Sequence, residues 1–196
     1  MSHYAITITR QFGSLGRPIA KKLSERLGIE YYDRDIVEQV AKETGLSVKT
    51  ISNEEESAKN RFFRMMFPLG GPDTTVIQDH IFEVQKGIIQ DLAKKEDCII
   101  VGRCSDYVLR HHENCMNIYI YAEMDQRMKN CVNILHLEPQ TAKRMIRDVD
   151  KARDSYHIRY AGYYPNDENH QDIMIDSGFL GVDGTAEVLE AIVRKK

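Results

Sequence analysis

A glycine-containing stretch ending in an arginine, Gly13-Ser14-Leu15-Gly16-Arg17, lies between the apolar, β-branched run of residues 4–9 and a helical pattern. A turn of this kind presents backbone N–H groups at a helix N-terminus, where the aligned peptide dipoles favour an anion. The phosphate-loop pattern is G-x-x-x-x-G-K-[ST]. Against it Gly16 matches the second glycine, Arg17 stands for the lysine and Gln11 for the first glycine, and Pro18 and Ile19 bring no hydroxyl for Mg2+. The competing reading is an ordinary tight turn between a strand and a helix. The fingerprint G-x-G-x-x-G is absent, which argues against nicotinamide chemistry.

A second arginine, Arg103, sits in Gly102-Arg103-Cys104-Ser105-Asp106 at the end of the apolar run CIIVG. Ligands of open α/β sheets bind beyond the carboxyl ends of strands, so Arg103 is placed to clamp a phosphate bidentately. Asp106 could hold a metal, a hydroxyl or an arginine; the plainer alternative is an Arg–Asp pair that positions a helix start. The run KRMIRDVDKARDSYHIR adds cations, with Arg144, Arg147 and Lys151 sharing a stripe by their i, i+3, i+7 spacing and Arg153 and Arg159 off it. Asp148, Asp150 and Asp154 are interleaved, and a mixed-charge helix is usually a solvated face. The position of the run, ahead of a Gly- and Tyr-containing loop, suits cations that close over a phosphoryl group. Asp33, in Tyr31-Tyr32-Asp33-Arg34-Asp35, is placed to cap a helix and could contact an acceptor substrate.

These residues need a scaffold, and the hydrophobic periodicity supplies one. Short strands are expected at 4–9, 29–32, 98–102, 116–122 and 172–176. Helical patterns cover 19–27, 33–45, 73–95, 105–111, 123–134, 138–160 and 185–194. Strands alternating with helices read as an α/β fold with a parallel sheet. The segment 47–72 breaks the rhythm with an apolar stretch, RFFRMMF, read as a core or homodimer contact or as a mobile substrate lobe.

The chain has 196 residues, 27 Lys+Arg and 30 Asp+Glu, giving a net charge of -3 that argues against a nucleic-acid polymer as partner. A local basic pocket for a small anionic substrate remains compatible with it. The 4 cysteines have no zinc-ligand spacing, and His111-His112 has no metal-motif partner, so no metal ligand is assigned. No signal-peptide pattern or bilayer-length apolar run is visible, so a cytoplasmic, membrane-free protein is expected.

Taken in order, three stretches resemble the cytidylate kinase-like family, a P-loop nucleoside monophosphate kinase branch. They are ITITRQFGSLGRPIAKKLSERLGIEYYDRDIV, IIVGRCSDYVLR, and KRMIRDVDKARDSYHIRYAG followed by DIMIDSGFLGVDGTAEVLEAI. The resemblance implies an α/β, three-layer P-loop kinase fold with a five-stranded parallel sheet flanked by helices. It implies one domain over 1–196, with an acceptor-binding insertion at 46–72 and a helical lid at 136–165. The implied reaction is ATP-dependent phosphoryl transfer to a small acceptor, CMP or dCMP by the family's name. Gly13, Ser14, Leu15, Gly16 and Arg17 then correspond to the donor-phosphate loop, Asp33 to the acid opening the acceptor-site helix and Arg103 to the arginine of the GR element. Arg147, Lys151 and Arg153 fall in the lid. The catalytic set expected is Arg17, Arg103, Arg147 and Arg153; Asp33, Arg103, Asp106 and Lys151 are expected at the substrate. Mg2+ is expected with ATP, without an identifiable protein ligand. The chain departs from the family at Pro18-Ile19 and at Cys104, where the acid is displaced to Asp106. The alternative on the same fold is a non-catalytic nucleotide- or phosphate-binding module.

Overall fold

The computed structural model describes residues 3–33, 36 and 72–195. Strand β1 (Ala5–Arg10) runs into helix α1 (Gly16–Leu27), which returns to strand β2 (Glu30–Tyr32). Helix α2 (Pro72–Lys95) leads to β3 (Cys98–Val101), the short helix α3 (Ser105–Val108) and β4 (Cys115–Tyr121). Then come α4 (Met124–Asn133), α5 (Pro139–Ala161), β5 (Ile173–Asp176) and α6 (Ser177–Val193).

The five strands are parallel and lie in the order β2-β3-β1-β4-β5. The apolar run of β3 is buried on both faces, as a central parallel strand should be. Its alternation sorts the core: Cys98 and Ile100 pack toward α2 and α3 with Ile89, Ala93 and Val108. Ile99 and Val101 pack the other way, with Ile6 and Ile8 of β1, Ile19 and Leu23 of α1, and Leu189 of α6. Helices on both faces of one sheet make three layers. Truncating one such buried aliphatic side chain to alanine costs about 2–5 kcal/mol.

The order also positions the site. The chain leaves β1 toward the β2 edge but leaves β3 toward β4 on the far side. Ligands of open α/β sheets bind at such a reversal, beyond the carboxyl ends of the strands.

Two elements differ from the sequence expectation. The closing helical segment begins at Ser177 instead of 185, but non-helical backbone at Gly181 divides it in two, and the helix expected over 185–194 lies in its second part. Gly181 takes φ 67° and kinks the helix there. The helix expected over 105–111 ends at Val108. The expected insertion at 46–72, apart from Pro72, and the RFFRMMF segment lie outside the described residues.

Candidate active site

The loop between β1 and α1 is held by its oxygens. The Phe12 carbonyl accepts from Arg127 Nε (2.8 Å), Gly13 from Asn130 Nδ2 (2.8 Å) and Ser14 from Ser177 Oγ (2.6 Å). The Ser14 hydroxyl, fully buried, lies within donating distance of the carbonyls of Gln11 (3.0 Å) and Ile120 (3.2 Å). Phe12 N–H donates to Asp150 Oδ1 (2.7 Å), and Arg127 is ion-paired to the same carboxylate. With the carbonyls tied to α4 and α6 and the Ser14 hydroxyl to β4, the N–H groups of residues 13–17 have no acceptor among the described residues. Gly13 (φ 81°) is required, since a Cβ there would lie 3.0 Å from both the Arg127 carbonyl and Cys131 Sγ. A row of unused N–H groups at the start of a helix of 12 residues is suited to a phosphate.

Arginines surround this loop. Arg10 closes β1 on the face of Ile6 and Ile8, which puts its stem against the first residue of α1. A Cβ on Gly16 would stand 2.7 Å from Arg10 Cβ. A Cβ on Gly102 would collide with Arg10 Nη1. Both glycines therefore make room for one side chain. Gly102 (φ 75°) is followed by Arg103 (62°) and Cys104 (52°), all left-handed. For a non-glycine residue that conformation costs roughly 1–2 kcal/mol, and here it sets where Arg103 leaves the sheet. From α5, Arg153 Nη1 donates to the Arg10 carbonyl (2.9 Å). Arg17 Nε is ion-paired to Asp33 at the end of β2, and Tyr31 Oη donates to that carboxylate (3.3 Å).

Burial first, then repulsion by Arg153, Arg17 and Arg103, pushes Arg10 well below the usual guanidinium range, against the pull of Asp33. Burial likewise lowers Arg103, and it brings Arg153 to about 10. All remain cations at neutral pH. Burial and the Asp33 charge push Tyr31 up to about 12, so it stays a neutral donor. Four guanidinium groups thus share the field of Asp33, and the arrangement favours a multiply charged anion.

Of the expected residues, the structure brings together Gly13, Ser14, Leu15, Gly16, Arg17, Asp33, Arg103 and Arg153. It leaves three elsewhere. Arg147 is exposed and paired with its neighbour Asp148 (2.9 Å), and Lys151 is exposed. Asp106, expected at the substrate, is instead an interior group: His157 Nε2 donates to its oxygens (3.0 and 2.9 Å) and Tyr163 Oη donates to Oδ2 (3.2 Å). His157 Nδ1 donates to the Tyr163 carbonyl (3.0 Å). This triad clamps α5 to α3. A second anchor is Ile146, packed with Cys131, Leu137 and Ala142 against α4, and a third is Tyr160, stacked on Phe82 of α2 (3.9 Å). The helix expected as a lid is therefore fastened along its length. Sequence reading missed Arg10, Arg127, Asp150 and His157. The one available signal was Arg10 continuing the face of Ile6 and Ile8 into the glycine loop.

The residues fit Mg2+ poorly. Pro18 stands where the pattern's hydroxyl would be and Ile19 after it is fully buried, Asp33 is taken by Arg17, and no metal-holding cluster of carboxylates, histidines and cysteines occurs among the described residues. No helix among the described residues is long and apolar enough to cross a membrane.

A parallel sheet in this order, with a glycine-containing loop between its first strand and first helix, is a P-loop kinase fold. The chain belongs to the cytidylate kinase-like family, whose model matches residues 5–178. Among solved structures it is similar to an uncharacterized protein from Eubacterium ventriosum, with 24% identity, a TM-score of 0.76, and 99% of this chain and 100% of that one covered. It is similar in fold to shikimate kinase from Acinetobacter baumannii, solved with shikimate, at 14% identity and TM-score 0.54 over 100% and 96% of the two chains. Shikimate kinase from Bacteroides thetaiotaomicron gives 10% identity and TM-score 0.56 over 97% and 98%. No curated protein matches.

Proposed function

We propose that the protein transfers the γ-phosphoryl group of ATP to a small anionic acceptor, with CMP or dCMP as the acceptor its family suggests. The observation that carries this is the row of N–H groups at residues 13–17 that have no acceptor among the described residues, with Arg10, Arg17, Arg103 and Arg153 about them. The loop N–H groups hold the donor polyphosphate. Arg103 and Arg153 hold charge that spreads over the phosphoryl oxygens as transfer proceeds. Asp33 gives up Arg17 and turns to the acceptor. An acceptor oxygen forms a bond to the γ-phosphorus while the bond to the bridging oxygen breaks, and that electron pair leaves on ADP. A phosphate acceptor oxygen carries no proton to remove, so neither a covalent nucleophile nor a strong base is needed.

A non-catalytic phosphate-binding module is the second reading, favoured by Pro18 and Ile19 in place of a metal-holding hydroxyl. An acceptor panel of nucleoside monophosphates and small hydroxylated acids, run with ATP with and without Mg2+, tests the acceptor. Product formation with CMP or dCMP is expected. Product with a hydroxylated acid alone would overturn the nucleotide acceptor while leaving the kinase.

A further inference from the structure

Arg17 occupies the position where a phosphate loop carries its lysine, yet its side chain is half exposed and bound to Asp33. Arg10 comes to the same place from the other side. Its stem crosses Gly16 of the donor loop and its guanidinium lies over Gly102, beside the turn that carries Arg103. The described residues give this guanidinium no hydrogen-bond acceptor and no ion-pair partner. Arg153 is held to the Arg10 backbone, so like charge crowds the group further. Two glycines cleared for one buried cation that forms no ion pair among the described residues, with only the field of Asp33 to offset it, is costly unless an anion arrives.

We propose that Arg10 contacts the γ-phosphoryl group, delivering from the end of β1 the cation that other phosphate loops carry on their helix. This rests on the kinase reading and adds a residue to it. Arg10 joins the donor loop at Gly16 to the Arg103 turn at Gly102, so its guanidinium spans the line along which the phosphoryl group moves. A planar fork there reaches two oxygens at once, which a lysine would not. A structural cation would show the opposite thermodynamics, because its loss would weaken the fold. Loss of Arg10 removes repulsion within the cluster.

The test is calorimetric titration of ATP, ADP and AMP into the whole chain, native and with Arg10→Gln or Arg10→Lys, beside ligand-free thermal melts. In Arg10→Gln, ATP affinity should fall by about tenfold or more, as for a lost charged hydrogen bond. ADP affinity should move by less than about threefold, since Arg10 is assigned to the γ-phosphoryl group. Arg10→Lys should fall between. The melting temperature of Arg10→Gln should equal or exceed that of the native chain. An unchanged ATP-to-ADP ratio in Arg10→Gln, in a native protein that binds ATP, overturns the proposal alone. A marked drop in melting temperature in both variants also overturns it, by making Arg10 a structural residue. Failure of the native protein to bind ATP or ADP overturns the kinase reading together with this one.

Discussion

Asp33 is the residue on which the site's charge turns. It is the acidic partner of Arg17 and lies within the field of Arg10, Arg103 and Arg153. A carboxylate there stands in for a phosphate and competes with one. Asp33→Asn should therefore raise the affinity for inorganic phosphate by about three- to tenfold, a Coulomb effect at partly screened range. The same variant should lose phosphoryl transfer. Phosphate titration reads the first effect, and weaker phosphate binding in Asp33→Asn would contradict the competition. Arg17 and Arg103 were legible in the sequence because each follows a glycine, Gly16 at the start of α1 and Gly102 at the end of the β3 run. Arg10 was signalled only by its place on the Ile6 and Ile8 face, because its approach to Gly16 and Gly102 arises in the folded chain.

At the scale of one element, α5 shows what periodicity does and does not reveal. Its span was readable, and its working face was not. The cationic stripe Arg144, Arg147 and Lys151 faces solvent. The face turned inward is Ile146, Asp150, Arg153 and His157, at i, i+4, i+7 and i+11. An apolar residue, an acid, an arginine and a histidine form no recognisable motif until Phe12, Arg10 and Asp106 are seen opposite. Both ring nitrogens of His157 face acceptors, so the buried imidazole is held as a cation. Burial opposes that charge, but the Asp106 hydrogen bond and charge, the Tyr163 carbonyl and Asp154 outweigh it, and the pKa is raised above its ordinary value. A raised native pKa favours folding while the histidine is protonated. Its contribution is complete below about pH 6.5 and is lost as pH climbs through the raised native value. Urea midpoints measured from pH 6 to 9 should fall with pH in the native chain. Asp106, Tyr163, Asp154 and the His170 ring stacked on Tyr163 stay in place in His157→Gln, so the slope should shrink there. Equal slopes in the two proteins would remove His157 as the clamp's titrating group.

Across the molecule, a net charge of -3 coexists with a basin of arginines. The two predict opposite responses to salt. If the net charge governed the approach of ATP, added salt would screen repulsion and tighten binding. If the arginine basin governs it, salt weakens binding, and a fall of roughly several-fold between 0.05 and 0.5 M NaCl is expected. Tighter binding at high salt would contradict the basin. The three-layer fold was legible because parallel strands buried on both faces print continuous apolar runs such as CIIV. The first part of the closing helical segment was hidden because it is short and ends at the non-helical Gly181.

The most direct measurement follows the label from γ-labelled ATP in the presence of the acceptor panel. Appearance of the label on a small anionic acceptor, one ADP formed for each, is the expected result. Saturable ATP binding with no label on any acceptor, in the presence or absence of Mg2+, would contradict a kinase and leave a phosphate-binding module in its place.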